Sequence, residues 1–376
     1  MNIILKTNIT TELLTTEEKI RYNRHLILEE FGAEAQQKLK DAKVLVVGAG
    51  GLGAPVLQYL TAAGVGQIGI IDGDKVDESN LQRQVIFNHA DIDRNKALTA
   101  KEKLTAQNPL VKIEAHEVFL STENAVTLFK QYDLVVDGTD NFQTRYLIND
   151  AAIIANKPFV FGSIFKFEGQ ISVFNFNDGP SYRCLYPEPP GPNEVPNCSD
   201  VGVLGVLPAV IGSIMANEAI KVLTGLGENL SGRLLLYNAL KLSFQELKIR
   251  KSATLVTELL ASYDEFCGII APPSSISVQE LNKWILENRD IQLIDVREQH
   301  ERDICKLPSD HFPVREIDRY IGRVNSEIPV VIYCHHGMRS QMVINYLSEK
   351  GFENLINLTG GIHLWALEID QNMETY

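Results

Sequence analysis

The sequence predicts an α/β protein made of a doubly wound sheet domain followed by a smaller α/β domain. Short β-branched runs alternate with helical patterns, which is typical of mainly parallel sheets. A glycine-rich segment follows the first of these runs. The alternation restarts near residue 275, after a proline-rich stretch, and a chain of 376 residues is long enough for two domains.

The N-terminal domain is predicted to hold its chemistry at the ends of short apolar strands. These strands are expected at residues 44–47, 68–71 and 134–136. Each is followed directly by a glycine or an aspartate. A proline-rich segment, residues 187–196, should form an exposed crossover loop, because proline disfavours helices and central strands. We expect this domain over residues 1–250, a linker over 251–274 and the second domain over 275–376.

Composition disfavours several classes of function. The formal net charge of −13 disfavours nucleic-acid binding, which depends on clustered Lys and Arg. Five cysteines are too few, and odd in number, for a disulfide framework, so we expect free thiols in a reducing cytoplasm. No secretory signal is expected at the N-terminus. Residues 201–223 are apolar but include Glu218 and Lys221, which predicts a buried helix rather than a membrane span.

A glycine motif marks a nucleotide site after the first strand. Gly48, Gly50 and Gly53 match G-x-G-x-x-G between a strand and a helix, where backbone N–H groups can approach phosphate oxygens. Asp72 ends the next strand, where a carboxylate can accept hydrogen bonds from ribose hydroxyls. By itself, this Rossmann-like fingerprint leaves a nicotinamide-dependent oxidoreductase and a purely structural glycine turn open.

Four motifs, one of them the glycine motif extended by Gly51 and Leu52, narrow these alternatives. They are R-Y-N-R at 21–24, G-x-G-G-L-G at 48–53, S-N-L-Q-R-Q at 79–84 and D-x-T-D-N at 137–141. Together they resemble the MoeB/ThiF family, relatives of ubiquitin-activating enzymes, over residues 16–248. The resemblance implies ATP-dependent adenylation of the C-terminal glycine of a ubiquitin-like sulfur-carrier protein that ends in Gly-Gly.

Adenylation requires cations, because a carboxylate must attack a negatively charged α-phosphate. Arg83 and Lys96 can neutralise phosphate charge, and Asp140 can hold Mg²⁺. The resemblance also implies that Arg24 reaches the ATP bound by a second subunit, and hence a homodimer. The alternative is that Arg24, Arg83 and Lys96 are solvated surface residues. The predicted nucleotide-binding residues are Gly48, Gly50, Gly51, Gly53, Asp72, Asp74, Ser79, Asn80, Arg83, Lys96, Asp140 and Asn141.

The cysteines of the first domain are expected to have different roles. Cys198 lies in V-P-N-C-S, which resembles a segment of family members with a fused sulfurtransferase domain, where this cysteine can react with the activated carrier. The alternative is a small buried residue. The family often binds zinc through two C-x-x-C pairs, but here only Cys184 and Cys267 remain, with Asp264 and Ser181 as weak oxygen ligands. We therefore expect the zinc site to be lost.

The second domain carries another reactive cysteine. Residues 334–339 match C-x-x-G-x-R, and D-V-R-E at 295–298 and G-G at 360–361 accompany it. These motifs resemble rhodanese domains over residues 275–367 and imply sulfur transfer through a persulfide on Cys334. The helix that follows, together with Arg339, should favour the thiolate. His335 and His336 are expected to have no metal role, since a site needs more ligands, and Cys305 is expected in the core.

The leading prediction is an adenylyltransferase joined to a sulfurtransferase whose product is a carrier thiocarboxylate. A persulfide donor such as a cysteine desulfurase would supply the sulfur. Molybdopterin biosynthesis is the preferred pathway, with thiamine biosynthesis and tRNA thiolation as alternatives. An oxidoreductase would explain the glycine motif and Asp72 but not Arg83, Lys96 or Cys334. A non-catalytic module that binds ubiquitin-like proteins would not explain the presence of Arg83, Lys96 and Asp140.

Overall fold

The computed structural model describes residues 14–190, 202–252, 256–267 and 275–376, and the structural statements that follow refer to these ranges. Along the chain there are two units, Met1–Gly268 and Ile269–Tyr376. Cys198, together with the whole V-P-N-C-S segment around it, lies outside the described residues.

A single sheet organises the described part of the first unit. Its strands are Lys43–Val47 (β1), Gln67–Ile71 (β2), Lys112–His116 (β3), Leu134–Asp137 (β4), Phe159–Phe165 (β5), Glu168–Phe174 (β6), Arg233–Asn238 (β7) and Ser243–Lys248 (β8). Their order is β3-β2-β1-β4-β5-β6-β7-β8. Neighbours from β1 to β5 are parallel, and those from β5 to β8 are antiparallel. The prediction of a mainly parallel, Rossmann-like sheet is confirmed, with an antiparallel extension that the motifs did not indicate.

Helices cover both faces of this sheet, which is why β1 and β4 are continuous apolar runs. The helices described in the first unit are Thr16–Arg21 (α1), Asn23–Leu26 (α2), Gly32–Asp41 (α3), Gly53–Ala63 (α4), Lys96–Gln107 (α5), Ala125–Phe129 (α6), Phe142–Ala155 (α7), Tyr182–Leu185 (α8), Leu207–Thr224 (α9) and Tyr263–Phe266 (α10). Short 3₁₀ turns lie at Glu78–Asn80 and His89–Asp91.

The long apolar helix α9 supports the glycine loop. By length and composition alone it could cross a membrane, but half of its apolar window is buried. It packs on α4 and β5. A β-carbon at Gly51 would lie 3.1 Å from Cβ of Pro208, and one at Gly212 would lie 2.4 Å from Cγ of Pro55. The close approach of α9 to α4 therefore depends on small residues at the contact, as in the core helix of a folded domain.

The segment predicted as a linker belongs in part to the first unit. Tyr263, on α10, donates a hydrogen bond of 2.8 Å from its hydroxyl to the buried carboxylate of Asp150. The Phe266 ring packs edge-on against Tyr146, with ring centroids 5.1 Å apart. The first unit thus extends to Gly268, so the division between the units lies inside the predicted linker of residues 251–274. The linker prediction did not reveal these contacts, because both partners lie more than a hundred residues upstream in the sequence.

The second unit is a five-stranded parallel sheet. Its strands are Ser275–Ile276 (β9), Gln292–Asp295 (β10), Asp310–His311 (β11), Val330–Tyr333 (β12) and Leu355–Leu358 (β13). Their order is β11-β10-β12-β13-β9, with every pair parallel. The helices are Val278–Leu286 (α11), Gln299–Ile304 (α12), Met338–Glu349 (α13) and Gly361–Glu368 (α14), with 3₁₀ turns at Val314–Arg319 and Ile321–Arg323. The smaller α/β domain is confirmed.

The glycine loop yields a prediction about stability. A β-carbon at Gly53 would lie 1.9 Å from the carbonyl oxygen of Gly48, whereas one at Gly50 would meet nothing closer than 3.7 Å. Gly53→Ala must displace backbone, so we expect it to lower the free energy of unfolding of the first unit by about 1–3 kcal/mol, with a smaller effect for Gly50→Ala.

Urea unfolding of the full chain, followed by circular dichroism, measures this loss. Both tryptophans, Trp284 and Trp365, belong to the second unit, so tryptophan fluorescence follows that unit separately and serves as an internal control. Equal effects of the two alanine variants on the first unit would contradict the role assigned to the Gly48–Gly53 contact.

Candidate active sites

The glycine loop brings two segments of backbone into close contact between β1 and α4. Gly48 has a left-handed φ of +90°, and a β-carbon there would lie 3.0 Å from the carbonyl oxygen of Gly138. The Gly48 N–H donates to the carbonyl of Ile71 at 2.9 Å, and the Gly138 N–H donates to that of Val47 at 2.8 Å. The ends of β1, β2 and β4 therefore meet at one edge of the sheet, where the α4 N-terminus favours an anionic ligand.

Asp72 holds the glycine loop in place. Its Oδ2 accepts a hydrogen bond from the Ala49 N–H at 2.7 Å, and its Oδ1 accepts one from the Asp74 N–H at 2.9 Å. Burial raises the pKa of Asp72, while these hydrogen bonds and nearby Lys96 act to lower it. Sequence reasoning missed this supporting role of Asp72. The contact between Asp72 and ribose stays a prediction.

Lys96 lies beside Asp72 and Asp74 at the start of α5. Its Nζ is 3.3 Å from Oδ2 of Asp74, and its side chain is only 9% exposed. The Asn95 side chain caps α5 and also donates to the carbonyls of Asp72 and Asp74, at 3.2 and 3.3 Å. The alternative that Lys96 is a solvated surface residue is therefore wrong. The structure brings this cation and two carboxylates together at the ends of neighbouring strands.

The S-N-L-Q-R-Q segment lies next to the glycine loop. Arg83 Nη1 donates to the carbonyl of Ser79 at 3.0 Å, and Arg83 Cδ lies 3.7 Å from the position of a β-carbon at Gly51. Ser79 bonds to Asp77 through its backbone N–H and its hydroxyl, and the Asn80 amide donates to Ser79 Oγ at 3.4 Å. Ser79 and Asn80 thus shape the turn that carries Arg83.

The D-x-T-D-N turn at the end of β4 contains two different carboxylates. Asp137 is fully buried; its Oδ1 accepts from the N–H and the hydroxyl of Thr139, at 3.0 and 2.6 Å. Its Oδ2 is buried and has no hydrogen-bond partner. Burial raises the pKa of Asp137, and nearby Arg145 opposes that rise. Asp140, by contrast, is exposed.

This turn fits a hard cation, since carboxylate oxygens are its preferred ligands. Asp140 would hold Mg²⁺, and the unpartnered Oδ2 of Asp137 is a second oxygen of the same turn that sequence reasoning missed. Asn141, predicted to bind nucleotide, uses its side chain to cap α7 by accepting from the Thr144 N–H at 2.9 Å. Arg145 donates to the carbonyl of Thr139 at 3.2 Å and so supports the same turn.

Arg24 is exposed on the short helix α2 and, within the described residues, makes no hydrogen bond or ion pair. Exposed apolar side chains lie close to it in the sequence: Ile20, Ile27 and Leu28 are 75%, 62% and 51% exposed. Exposed apolar residues near a cation in the sequence are typical of a surface that a partner covers.

The cysteines of the altered zinc motif make no tetrahedral donor set in the described residues. Cys184 Sγ accepts hydrogen bonds from Ser181 and Ser252, which lower the pKa of its thiol although burial acts to raise it. Burial raises the pKa of Cys267 to about 11, with Asp264 adding to the rise. Two thiols without two further strong ligands do not fit a structural Zn²⁺ site.

A buried ion pair and its hydrogen bonds connect the helices that carry the remaining residues of the altered zinc motif. Arg183 donates from Nε and Nη2 to the two oxygens of Asp150, both at 2.8 Å, and Tyr263 donates to the same carboxylate. The guanidinium also lies 4.6 Å from the centroid of the Phe266 ring. Asp150, Arg183 and Tyr263 thereby fasten α10 to α7 and α8, and none of the three was a predicted site residue.

In the second unit, Cys334 lies at the end of β12, where a tight loop encloses its thiol. The residue is 1% exposed, and its Sγ accepts from the Gly337 N–H at 3.1 Å and from the Ser340 hydroxyl at 3.5 Å. Gly337 has a φ of +98°, which places its N–H toward the sulfur as the chain enters α13. One backbone N–H and one hydroxyl thus donate to the thiol of Cys334, and Ser340 is a donor that sequence reasoning missed.

Arg339 is held by Glu301 rather than by the thiol. Its two terminal nitrogens donate to the two carboxylate oxygens of Glu301, both at 2.6 Å. Burial acts to raise the pKa of Glu301, but the Arg339 hydrogen bonds lower it to about 2. Tyr376 also donates to Glu301 at 3.0 Å. Arg339 is nevertheless close enough to Cys334 for the two groups to interact electrostatically.

The D-V-R-E motif supplies buried residues to the core of the second unit, near the Cys334 loop. Asp295 and Arg297 form a fully buried ion pair at 2.7 Å, and Arg297 Nη2 donates to the carbonyl of Cys305 at 2.7 Å. Cys305 is buried, which confirms its prediction as a core residue. Arg297 Nη1 donates to the hydroxyl of Tyr376 at 2.9 Å, so this core is linked to the Glu301–Arg339 pair.

Comparisons with known proteins agree with this division of the chain. The ThiF family model matches residues 22–257 and the rhodanese-like domain model matches residues 277–368. Probable adenylyltransferase/sulfurtransferase MoeZ of Mycobacterium tuberculosis is 47% identical over 380 residues, which cover 96% of this chain and 96% of that protein. Adenylyltransferase and sulfurtransferase MOCS3 of Drosophila sechellia is 40% identical over 392 residues, covering 96% of this chain and 86% of that protein.

Two further likenesses concern the first unit. Sulfur carrier protein adenylyltransferase of Thermus thermophilus is 52% identical over 267 residues, which cover 68% of this chain and 98% of that protein. A crystal structure of E. coli MccB with ATP has a TM-score of 0.56 at 21% identity, covering 63% of this chain and 74% of that one, and shows the shared fold alone. From these matches, the chain belongs to the ThiF family, as an adenylyltransferase that carries a rhodanese-like sulfurtransferase domain.

Proposed function

We propose that the first unit adenylates the C-terminal glycine of a ubiquitin-like sulfur-carrier protein and that the second unit delivers the sulfur that makes its thiocarboxylate. The observation that carries this proposal is the grouping of the glycine loop, Asp72, Asp74 and Lys96 at one sheet edge, in a chain that also encloses the thiol of Cys334. A relative that is 52% identical over 68% of this chain is named a sulfur carrier protein adenylyltransferase. This grouping disfavours a nicotinamide-dependent oxidoreductase, which needs neither Lys96 nor Cys334.

Adenylation joins the carrier carboxylate to the α-phosphate of ATP and releases pyrophosphate. The backbone N–H groups at the start of α4 and the Lys96 ammonium are suited to bind the phosphates, and Arg83 adjoins the same loop. Mg²⁺ held by Asp140 would supply charge neutralisation to the phosphate oxygens. Because Lys96 is already fixed by Asp74, little rotamer freedom is lost when ATP binds.

We further propose a homodimer in which Arg24 completes the partner's site. Its exposed position among Ile20, Ile27 and Leu28 supports this arrangement. A cation delivered by a second subunit would couple assembly to catalysis, because neither subunit would then hold the full set of charges.

Sulfur transfer requires three further bond exchanges. The Cys198 thiolate would attack the acyl-adenylate, releasing AMP and forming a thioester with the carrier. The terminal sulfur of a Cys334 persulfide would attack that thioester and free Cys198. An external thiol would then cleave the resulting acyl disulfide, releasing the thiocarboxylate and leaving a mixed disulfide on Cys334. The Gly337 N–H and the Ser340 hydroxyl, which already donate to Sγ of Cys334, would stabilise its anionic forms.

The pathway we propose is molybdopterin biosynthesis in the cytoplasm, with a cysteine desulfurase or a similar enzyme as the persulfide donor. The fused rhodanese-like domain favours this pathway over thiamine biosynthesis, and carrier activation for tRNA thiolation is the main alternative. A non-catalytic module that only binds ubiquitin-like proteins would have no need of a buried lysine at a nucleotide site or of an enclosed thiol.

The adenylation half of the proposal is tested by ATP–pyrophosphate exchange with a Gly-Gly-ended carrier. Asp140→Ala should lower the exchange rate more than about 100-fold, because it removes the proposed Mg²⁺ ligand. Asp178→Ala changes an aspartate whose side chain is 92% exposed and should leave exchange unchanged. Undiminished exchange in Asp140→Ala would remove Asp140 from the site.

Sharing of the site between subunits is tested by mixing variants. When Arg24→Ala and Lys96→Ala subunits form hybrid dimers, one site regains both cations, so a random mixture should recover roughly a quarter of wild-type exchange. Arg83→Ala mixed with Lys96→Ala is the control: both residues belong to one chain's site, so no hybrid is complete. Equal behaviour of the two mixtures, with hybrids verified by mass, would exclude the contribution of Arg24 in trans.

The two cysteines should act at separable steps. Cys334→Ala should keep pyrophosphate exchange but lose thiosulfate sulfurtransferase activity and carrier thiocarboxylate, since the persulfide has no other attachment. Cys198→Ala should keep both partial activities yet slow thiocarboxylate formation, which mass spectrometry of the carrier detects as oxygen replaced by sulfur. Cys267→Ser is the matched control. A normal rate of thiocarboxylate formation from a persulfide donor in Cys334→Ala would show that the second unit is not the route of sulfur.

A further inference from the structure

Three histidine rings form a cluster beside the Cys334 loop. His335 and His336 directly follow Cys334, and His363 lies in the first turn of α14. Ring centroids are 4.1 Å apart for His335–His336, 4.8 Å for His336–His363 and 5.2 Å for His335–His363. One ring nitrogen from each residue lies within 4.8 Å of the other two. The two neighbouring histidines alone were expected to have too few ligands for a metal, and α14 supplies the third.

Backbone hydrogen bonds bring the third ring into place. The Ile362 N–H donates to the carbonyl of Cys334, and the His363 N–H donates to that of His335, both at 3.0 Å. Gly361 permits this contact, because it has a φ of +59° and a β-carbon there would lie 2.3 Å from the carbonyl oxygen of His335. The cluster is therefore fixed by main-chain geometry, whichever rotamers the rings adopt.

Two ring nitrogens of the cluster lack a hydrogen-bond partner among the described residues. Nδ1 of His335 and Nδ1 of His363 are buried, and neither makes a hydrogen bond. A buried polar atom without a partner is costly, which points to a ligand that satisfies it. Burial, followed by the nearby His336 and His363 rings, lowers the pKa of His335 to about 4.

The positive charges near the histidine cluster are each paired with a carboxylate, which reduces their repulsion of a divalent cation. The nearby guanidiniums of Arg297 and Arg339 are both paired, the first with Asp295 at 2.7 Å and the second with Glu301 at 2.6 Å. The Tyr376 ring packs on His335, with centroids 4.3 Å apart, and closes one side. His336 is exposed, so an ion could enter from solvent.

We propose that His335, His336 and His363 form a binding site for one divalent late transition-metal ion, with Zn²⁺ as the first choice. Three imidazoles suit Zn²⁺, Co²⁺, Ni²⁺ and Cu²⁺ and disfavour Mg²⁺ and Ca²⁺. At Zn–N distances of about 2.0–2.1 Å the ring nitrogens must lie closer together than they do now, so the side chains would have to rotate on binding. The three histidines belong to the second unit, whereas Cys184 and Cys267 belong to the first, and the site does not depend on the proposed carrier chemistry.

The bound ion would link the Cys334 loop to α14. Two of its ligands would come from the loop that follows the sulfur nucleophile and one from the helix whose N-terminus is hydrogen-bonded to that loop. Binding to the folded state alone stabilises it, so Zn²⁺ should raise the thermal midpoint of the second unit, which tryptophan fluorescence reports.

Cobalt titration of the full chain, metal-free and without a polyhistidine tag, tests the site directly. We expect one Co²⁺ per chain, a visible absorption band, no thiolate-to-cobalt charge-transfer band, and displacement by Zn²⁺. His336→Ala and His363→Gln should each weaken Co²⁺ binding at least about tenfold. His300→Ala, which removes an exposed histidine of the same unit, should leave it unchanged, as should Cys334→Ser and Cys184→Ser.

Circular dichroism and tryptophan fluorescence verify that each variant is folded. The proposal is overturned if wild-type protein binds no Co²⁺, if His336→Ala and His363→Gln bind it as tightly as wild type, or if Cys334→Ser or Cys184→Ser abolishes binding, since a thiolate would then be the ligand. A Zn²⁺-induced rise in the fluorescence midpoint that persists in folded His363→Gln would also exclude the site.

Discussion

The close backbone contact inside the glycine loop is the constraint on which the first unit depends. Gly53 can lie this close to the Gly48 carbonyl only because Gly53 has no β-carbon, and that approach lets α4 begin shortly after the end of β1. The Asp72 carboxylate then binds the Ala49 N–H and holds the loop against the end of β2. Helix α9 packs on the other side, through Pro208. A single set of small residues thus positions both the phosphate-binding backbone and the carboxylates around it.

In the second unit, too, glycines permit close backbone contacts, here around the thiol of Cys334. Gly337 and Gly361 have left-handed backbone conformations that bring α13 and α14 close to the Cys334 loop. Their N-terminal turns supply N–H groups to Sγ of Cys334 and to the loop carbonyls. Paired charges surround this loop: Asp295–Arg297 in the core and Glu301–Arg339 nearer the surface. An enclosed thiol can thereby sit among cations without unpaired buried charge.

In the region of the altered zinc motif, a buried ion-pair network connects the helices in place of a metal site. The residues that remain offer two thiols, one of them hydrogen-bonded to serines. Asp150, Arg183 and Tyr263 instead connect α7, α8 and α10 through buried charge-assisted hydrogen bonds. Such a network stabilises the fold only if every buried polar group in it has a hydrogen-bond partner. Here the Asp150 carboxylate accepts hydrogen bonds from Arg183, Tyr263 and Asn149.

The sequence by itself determined the fold class, the two units, the glycine loop and the two chemistries, because motifs such as those at 48–53 and 334–339 are local: strand, turn and helix N-terminus follow one another in the chain. Only the tertiary structure decided which distant groups meet these motifs. Asp137 with its unpartnered oxygen, Glu301 holding Arg339, Tyr263 on Asp150 and His363 beside His335 all depend on the packing of separate elements. Contacts of that kind leave no periodicity or spacing in the sequence, since sheet order and helix packing, not chain proximity, bring the residues together.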